Sequence, residues 1–215
     1  MKILGEDLAA PQAYRLLTGV VVPRPIAWVT TVSADGVVNL APFSTFTYLS
    51  TKPPMVGFNA GRKAGLRKDT ANNILARGEF VVHVVDESLL GPMHESSVEH
   101  PPAVSEAELL GLEWVASERV AVPRLQAPRV AMECRLHSVT PYGDTGAEFI
   151  VGEVLVFHVK DGFIDNGKID TLRLNPVCRL GGPNYATLGP ITTLRTIAQT
   201  PQKSITTITT GETPE

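Results

Sequence analysis

Two short stretches of this chain carry residues that could hold a ligand at two ends. The first spans residues 39–46 and includes Asn39, Ala41, Pro42, Phe43, Ser44 and Thr45. Its small, hydroxylated residues leave backbone N–H groups approachable, and two aromatic rings, Phe43 and Phe46, stand beside them. That mixture suits a flat, heteroatom-rich ligand, which needs hydrogen-bond partners at its edge and apolar contact on its face. A corner between strands, with hydroxyls capping their own backbone, uses the same residue types. The second stretch spans residues 61–70, where Arg62, Lys63, Arg67 and Lys68 lead into Asp69 and Thr70. A cationic, glycine-relaxed loop feeding a helix N-terminus attracts a phosphate through side-chain charge and through unpaired backbone N–H groups. A solvated basic loop is the plainer alternative.

Other chemistries lack their residues. No Gly-x-Ser-x-Gly elbow is present, and Cys134 and Cys178 have no thiol-activating neighbours in sequence. His94 and His100 flank a glutamate, but the second histidine falls two residues late for a zinc site on one helix face. No Gly-x-Gly-x-x-Gly marks a dinucleotide fold, and residues 61–70 lack the Gly-Lys-Ser/Thr of a Walker A loop. No metal site is expected, and no catalytic residue is assigned.

The elements that must position the two stretches follow from pattern. A short helix begins near Pro11 and ends near Gly19. Pro23-Arg24-Pro25 stiffens the approach to a strand over residues 26–32, which includes Thr30 and Thr31. Ala34-Asp35-Gly36 turns the chain into a returning strand over residues 37–40. Pro42 argues that residues 41–46 form a loop and not a strand deep in a sheet. A third strand covers residues 54–60. Asp69 or Thr70 is the expected N-cap of a helix over residues 71–77, closed by Gly78. Residues 80–85 read as a buried strand, and His83 within it reads as a satisfied core residue. Residues 88–112 form an excursion that covers a sheet edge or shapes a pocket mouth. Residues 130–139 alternate, with Glu133, Arg135 and His137 on a polar exterior, whereas residues 149–159 are apolar on both faces.

Whole-chain properties narrow the class. At 215 residues and 43% hydrophobic, the chain can build one well-cored domain. We place that domain at residues 1–190, followed by a Thr-rich arm or disordered tail over residues 191–215. A net charge of −3 offers no basic field for nucleic acid. No apolar run reaches membrane-span length, and the N-terminus lacks a signal-peptide core. Two cysteines, both expected to be reduced, fit a cytoplasmic protein.

In order, Pro-Arg-Pro-Ile-Ala-Trp-Val-Thr-Thr, Asp-Gly, Asn-Leu-Ala-Pro-Phe-Ser, Lys-Pro-Pro and Lys-Asp-Thr-Ala-Asn-Asn-Ile resemble the flavin reductase-like, FMN-binding split-barrel proteins. The flavoredoxin-like and ferric-reductase-like branch is the nearest, and the resemblance covers roughly residues 16–185. It implies a fold that is mainly β with peripheral helices, a split β-barrel, and a homodimer. It implies FMN, with FAD as the alternative, and NAD(P)H as electron donor to a flavin reductase. A non-catalytic FMN carrier or electron-transfer partner is the rival reading. Thr30, Thr31, Asn39 and Ala41, Pro42, Phe43, Ser44 and Thr45 would then line the ring edge and ribityl chain. Arg62, Lys63, Lys68 and Thr70 would bind the phosphate with Asp69 beside them, and Arg24 could reach it too. Arg179 and Tyr185 resemble a closing segment that approaches the flavin. One departure stands out: where related reductases carry Gly-Asp-His, this chain has Gly143-Asp144-Thr145.

Overall fold

A strand built of small and apolar residues on both faces needs cover on both sides. In the computed structural model, which describes residues 1–62 and 64–197, Ala27–Val32 has such cover: every residue before Val32 is buried. The chain opens with α1 (Ala10–Val20), which has Pro11 in its first turn, and β1 (Arg24–Pro25). Then come β2 (Ala27–Val32), β3 (Val38–Phe43), β4 (Phe46–Thr51), β5 (Pro54–Ala60), α2 (Asp69–Arg77) and β6 (Glu79–Val84). The excursion carries α3 (Leu90–Glu95), α4 (Glu106–Leu109), β7 (Trp114–Val115) and β8 (Arg124–Leu125). A long hairpin follows, β9 (Val130–Tyr142) and β10 (Ala147–Val159). The closing elements are β11 (Ile164–Asp165), β12 (Lys168–Ile169), α5 (Thr171–Leu174), β13 (Cys178–Arg179) and β14 (Tyr185–Ala186).

Seven strands form one antiparallel sheet in the order β3-β2-β6-β9-β10-β5-β4. The sheet curls until Phe43 of β3 meets Phe58 of β5, with ring centroids 4.6 Å apart. The result is a split β-barrel with peripheral helices, as the resemblance implies. Its interior packs Val29, Phe58, Phe80, Met132 and Ile150 with Ile74 of α2. Gly152 of β10 has no side chain because a Cβ there would overlap the Phe80 ring. On the outer face of β2, Trp28 packs with Leu40, Leu89, Met93 and Leu125, so the excursion is what covers that side. Trp28 Nε1–H donates to Ser96 Oγ at 2.9 Å, which satisfies the indole in this second core.

Several expectations are corrected. β3 continues through Ala41, Pro42 and Phe43, where a loop was expected. It is an edge strand, and a proline, which has no N–H to donate, is tolerated there because no further strand pairs with its outer side. Phe46–Thr51 is a strand at the opposite edge, which its Ser- and Thr-rich composition did not announce. The helix starts at Asp69 with Lys68 as N-cap, and no side chain caps it. Glu133 is buried, not on a polar exterior. It accepts from Glu118 N and Arg119 N, both at 2.7 Å, and from His158 Nε2 at 2.6 Å. Burial pushes its pKa up, but these donors outweigh burial and hold it below the usual carboxylate range. Residues 191–197 contain no regular element, and the rest of the expected tail lies outside the described residues. Gly78 closes α2 as expected, in the left-handed conformation with φ 73°.

Candidate functional site

The edge strand β3, the N-terminus of α2 and the excursion converge on one crevice of about 310 Å³. That volume lies at the lower end of the range for small-molecule and cofactor sites. Asn39, Ala41 and Pro42 come from β3, and Arg67, Lys68, Asp69 and Thr70 from the loop and first turn of α2. Ser96, Ser97, His100 and Glu106 come from the excursion. The two stretches singled out in the sequence therefore meet in space.

Asn39 is the hub of the crevice floor. Its Oδ1 accepts from Thr70 Oγ1 at 2.8 Å and from Thr31 Oγ1 at 3.3 Å. Its Nδ2 donates to both Glu106 oxygens, at 3.2 and 3.1 Å. Asn73 Nδ2 donates to Thr31 Oγ1 at 3.1 Å, so α2 is tied to β2 as well as to β3. Thr70 spends its hydroxyl on Asn39 and does not cap its own helix. With Lys68 at the N-cap, the first-turn N–H groups of α2 have no side-chain cap, and the lysine Nζ lies 5.5 Å from the centroid of the Phe43 ring. Free amide donors, the positive end of a helix dipole and a lysine suit an anionic group.

Of the residues expected to bind the cofactor, Asn39, Ala41, Pro42, Lys68, Asp69 and Thr70 line this crevice. Thr31 sits one hydrogen bond behind them. The others do not converge there. Thr30 faces the opposite side of β2, where its hydroxyl donates to Pro123 O at 2.8 Å. Phe43 belongs to the barrel core. Ser44 and Thr45 form the turn into β4, and Thr45 O accepts from Asn59 N at 2.9 Å. Arg24 is buried and donates to Thr18 O, Val21 O and Leu180 O at 2.7, 2.9 and 2.8 Å, so it holds chain segments together. Arg62 turns to the β9–β10 hairpin, donating to Gly146 O at 3.0 Å and to Gly65 O at 3.3 Å. Lys63 lies outside the described residues.

Arg67 lines the crevice, yet its guanidinium grips Glu148 through two hydrogen bonds of 2.8 and 2.7 Å. Those bonds hold the Glu148 carboxyl below the usual carboxylate range, against the opposing effect of burial. Lys68 is therefore the crevice cation with no ion pair among the described residues.

Glu106, Ser96, Ser97 and His100 were not foreseen as site residues. The one local signal is Ser105, whose hydroxyl accepts from Glu108 N at 3.3 Å and so starts α4 with Glu106 in its first turn. His83 is a core residue as expected: its Nδ1 bonds Trp28 O and its Nε2 accepts from Leu125 N, each at 2.9 Å. In the closing segment Tyr185 bonds His94 Nδ1 at 2.7 Å and also accepts from Arg179. Both residues of that segment lie outside the crevice lining. Among the described residues no cluster of three or more His, Cys, Asp or Glu could hold a metal, and no helix is long and apolar enough to cross a membrane.

The model of the flavin reductase like domain matches residues 19–172, well over half of the chain. The chain belongs to the flavin reductase like family. Within and around this family, an uncharacterized protein of Halalkalibacterium halodurans is 46% identical over 194 residues, covering 88% of this chain and 93% of the relative. The solved structure of nitrilotriacetate monooxygenase component B from Bacillus cereus is 38% identical with TM-score 0.88, covering 90% of this chain and 98% of that one. That of Pseudomonas fluorescens 2-nitrobenzoate 2-nitroreductase is 31% identical with TM-score 0.84, covering 94% and 99%.

The crevice fits the flavin that this family implies. Hydrogen-bonding groups on β3 and the uncapped N-terminus of α2 with Lys68 line the same crevice.

Proposed function

We propose that this protein is an FMN-dependent reductase that takes electrons from NAD(P)H. The observation that carries the reading is the single crevice joining the amide- and hydroxyl-bearing floor around Asn39 to the uncapped end of α2. A bound flavin supplies the hydride and electron chemistry, which is why no acid–base team is needed. The chain's own residues bind and orient. The first-turn N–H groups of α2 and Lys68 receive the phosphate, Asn39 holds Thr70 so that its hydroxyl oxygen can accept from the polar middle of the ligand, and Ala41 and Pro42 leave room against its face. The one negative end of FMN matches a single helix N-terminus, which favours FMN over FAD. Two similar structures bear redox names, one a monooxygenase component and one a nitroreductase. They support a reductase that serves a small-molecule acceptor. We extend the proposal to a homodimer.

A carrier without its own substrate is favoured by one observation. Thr145 stands where related reductases carry a histidine, in the exposed β9–β10 turn beside Arg62. The test is a titration of purified protein with FMN and FAD, followed by anaerobic mixing with NADH and NADPH. Tight FMN binding and rapid bleaching by either donor are expected. Bleaching by neither donor favours the carrier, and no flavin binding at all rejects both readings.

A further inference from the structure

Glu106 is a carboxylate in the crevice wall with only 7% of its surface exposed. Among the described residues it forms no ion pair. All its partners are neutral: Asn39 Nδ2 and Leu40 N, the latter donating to Oε2 at 2.9 Å. A buried charge held only by amides is costly to keep. Part of its role is structural. Leu40 lies on an edge strand, and Glu106 takes its outward N–H where no further strand exists.

That role does not need a charge, since a glutamine carbonyl could accept the same N–H. The charge does two things that glutamine would not. It accepts at both oxygens, so Asn39 must turn its NH₂ to Glu106 and its Oδ1 to Thr31 and Thr70. It also places an uncompensated negative charge in a low-dielectric wall, where its field is weakly screened.

We propose that Glu106 is a positioning residue that orients Asn39 and, through its charge, lowers the reduction potential of the flavin bound in the crevice. This rests on the flavin reading above. A flavin gains electron density on reduction, and a fixed carboxylate nearby opposes that gain. The oxidised form is then favoured relative to the reduced form, and the reduced flavin becomes the stronger electron donor to whatever acceptor follows.

The test uses full-length protein loaded with FMN and compares the wild type with Glu106→Gln by redox titration. The variant is expected to bind reduced over oxidised FMN about tenfold more selectively. For a two-electron couple this is a midpoint shift of about +30 mV. Glu106→Asp keeps the charge and is expected to stay near the wild-type potential even where stability drops. Should Glu106→Gln fail to fold, Ser97→Lys adds a cation at an exposed position of the same crevice without touching the Glu106 hydrogen bonds. It is expected to move the potential in the same positive direction. Coincident potentials in flavin-loaded wild type and folded variant overturn the role of Glu106 and leave the flavin site standing. Failure of the wild type to bind any flavin overturns both.

Discussion

His83 shows how one side chain can report on the whole core. It is fully buried, and both ring nitrogens have partners suited to the neutral imidazole, Nδ1–H donating to Trp28 O and Nε2 accepting from Leu125 N. Burial is the main reason its pKa falls to about 4, from an ordinary value of 6.5. The sign of the linkage follows. Between pH 6.5 and 4 the unfolded chain takes up a proton at this site and the folded protein does not, so stability is lost as pH is lowered through that window. The loss is about 3 kcal/mol in total. Denaturant titrations at pH 7 and pH 4.5 should show a smaller loss for His83→Gln than for the wild type. Equal losses would mean that His83 is protonated in the folded protein. Glu148 and Glu133 act lower on the scale: both carboxyls are held below their ordinary value, so their contribution persists above it and disappears only in stronger acid.

At the scale of elements, the decisive piece is the first turn of α2. Its lack of a side-chain cap is costly to a helix standing alone. Here it follows from a lysine at the N-cap, which has no acceptor to offer, and it leaves the helix end open to a ligand, while Thr70 ties α2 to β3 through Asn39. Lys68→Glu should weaken FMN binding about tenfold, or about 1.4 kcal/mol, because it reverses the charge beside that end. Fluorescence titration reads the affinity, and the thermal midpoint should barely move because Lys68 has no ion pair among the described residues to lose. An unchanged affinity would remove α2 from the phosphate-binding role. The element that misled the sequence reading was β3. A proline signals a loop only in a strand with neighbours on both sides, and position in the sheet is a property that residues 38–43 do not encode locally.

At the scale of the molecule, α1 has no buried residue, yet it carries Leu17 at 61% and Val20 at 74% exposure. Tyr48 on the edge strand β4 is 74% exposed, and Phe157 on β10 is 54% exposed. An eleven-residue helix gains little from its own hydrogen bonds, so its persistence calls for packing. A second copy of the chain covering the apolar side of α1 is the expected arrangement. Light scattering should give twice the mass of one chain, and Leu17→Glu with Val20→Glu should shift the population towards the monomer. A wild-type monomer at micromolar concentration would reject the homodimer.

The sequence by itself determined the strands with clear alternation or unbroken apolar runs, the closing of α2 at Gly78, the core role of His83 and the two stretches that meet at the crevice. Each of these is written in neighbouring residues, through side-chain periodicity, backbone freedom or local charge. Tertiary structure alone decided which of the expected site residues face the crevice. Arg24 and Arg62 carry the right charge, but carbonyls from distant segments and turns claim them first. Thr30 and Thr31 are adjacent in sequence, yet strand alternation sends one hydroxyl to Pro123 and the other to Asn39. Glu106 enters the site from 67 residues beyond its partner Asn39, through an excursion whose path depends on the second core around Trp28. Partners that far apart leave no mark in a local pattern, because only the folding of both cores brings them within a hydrogen bond.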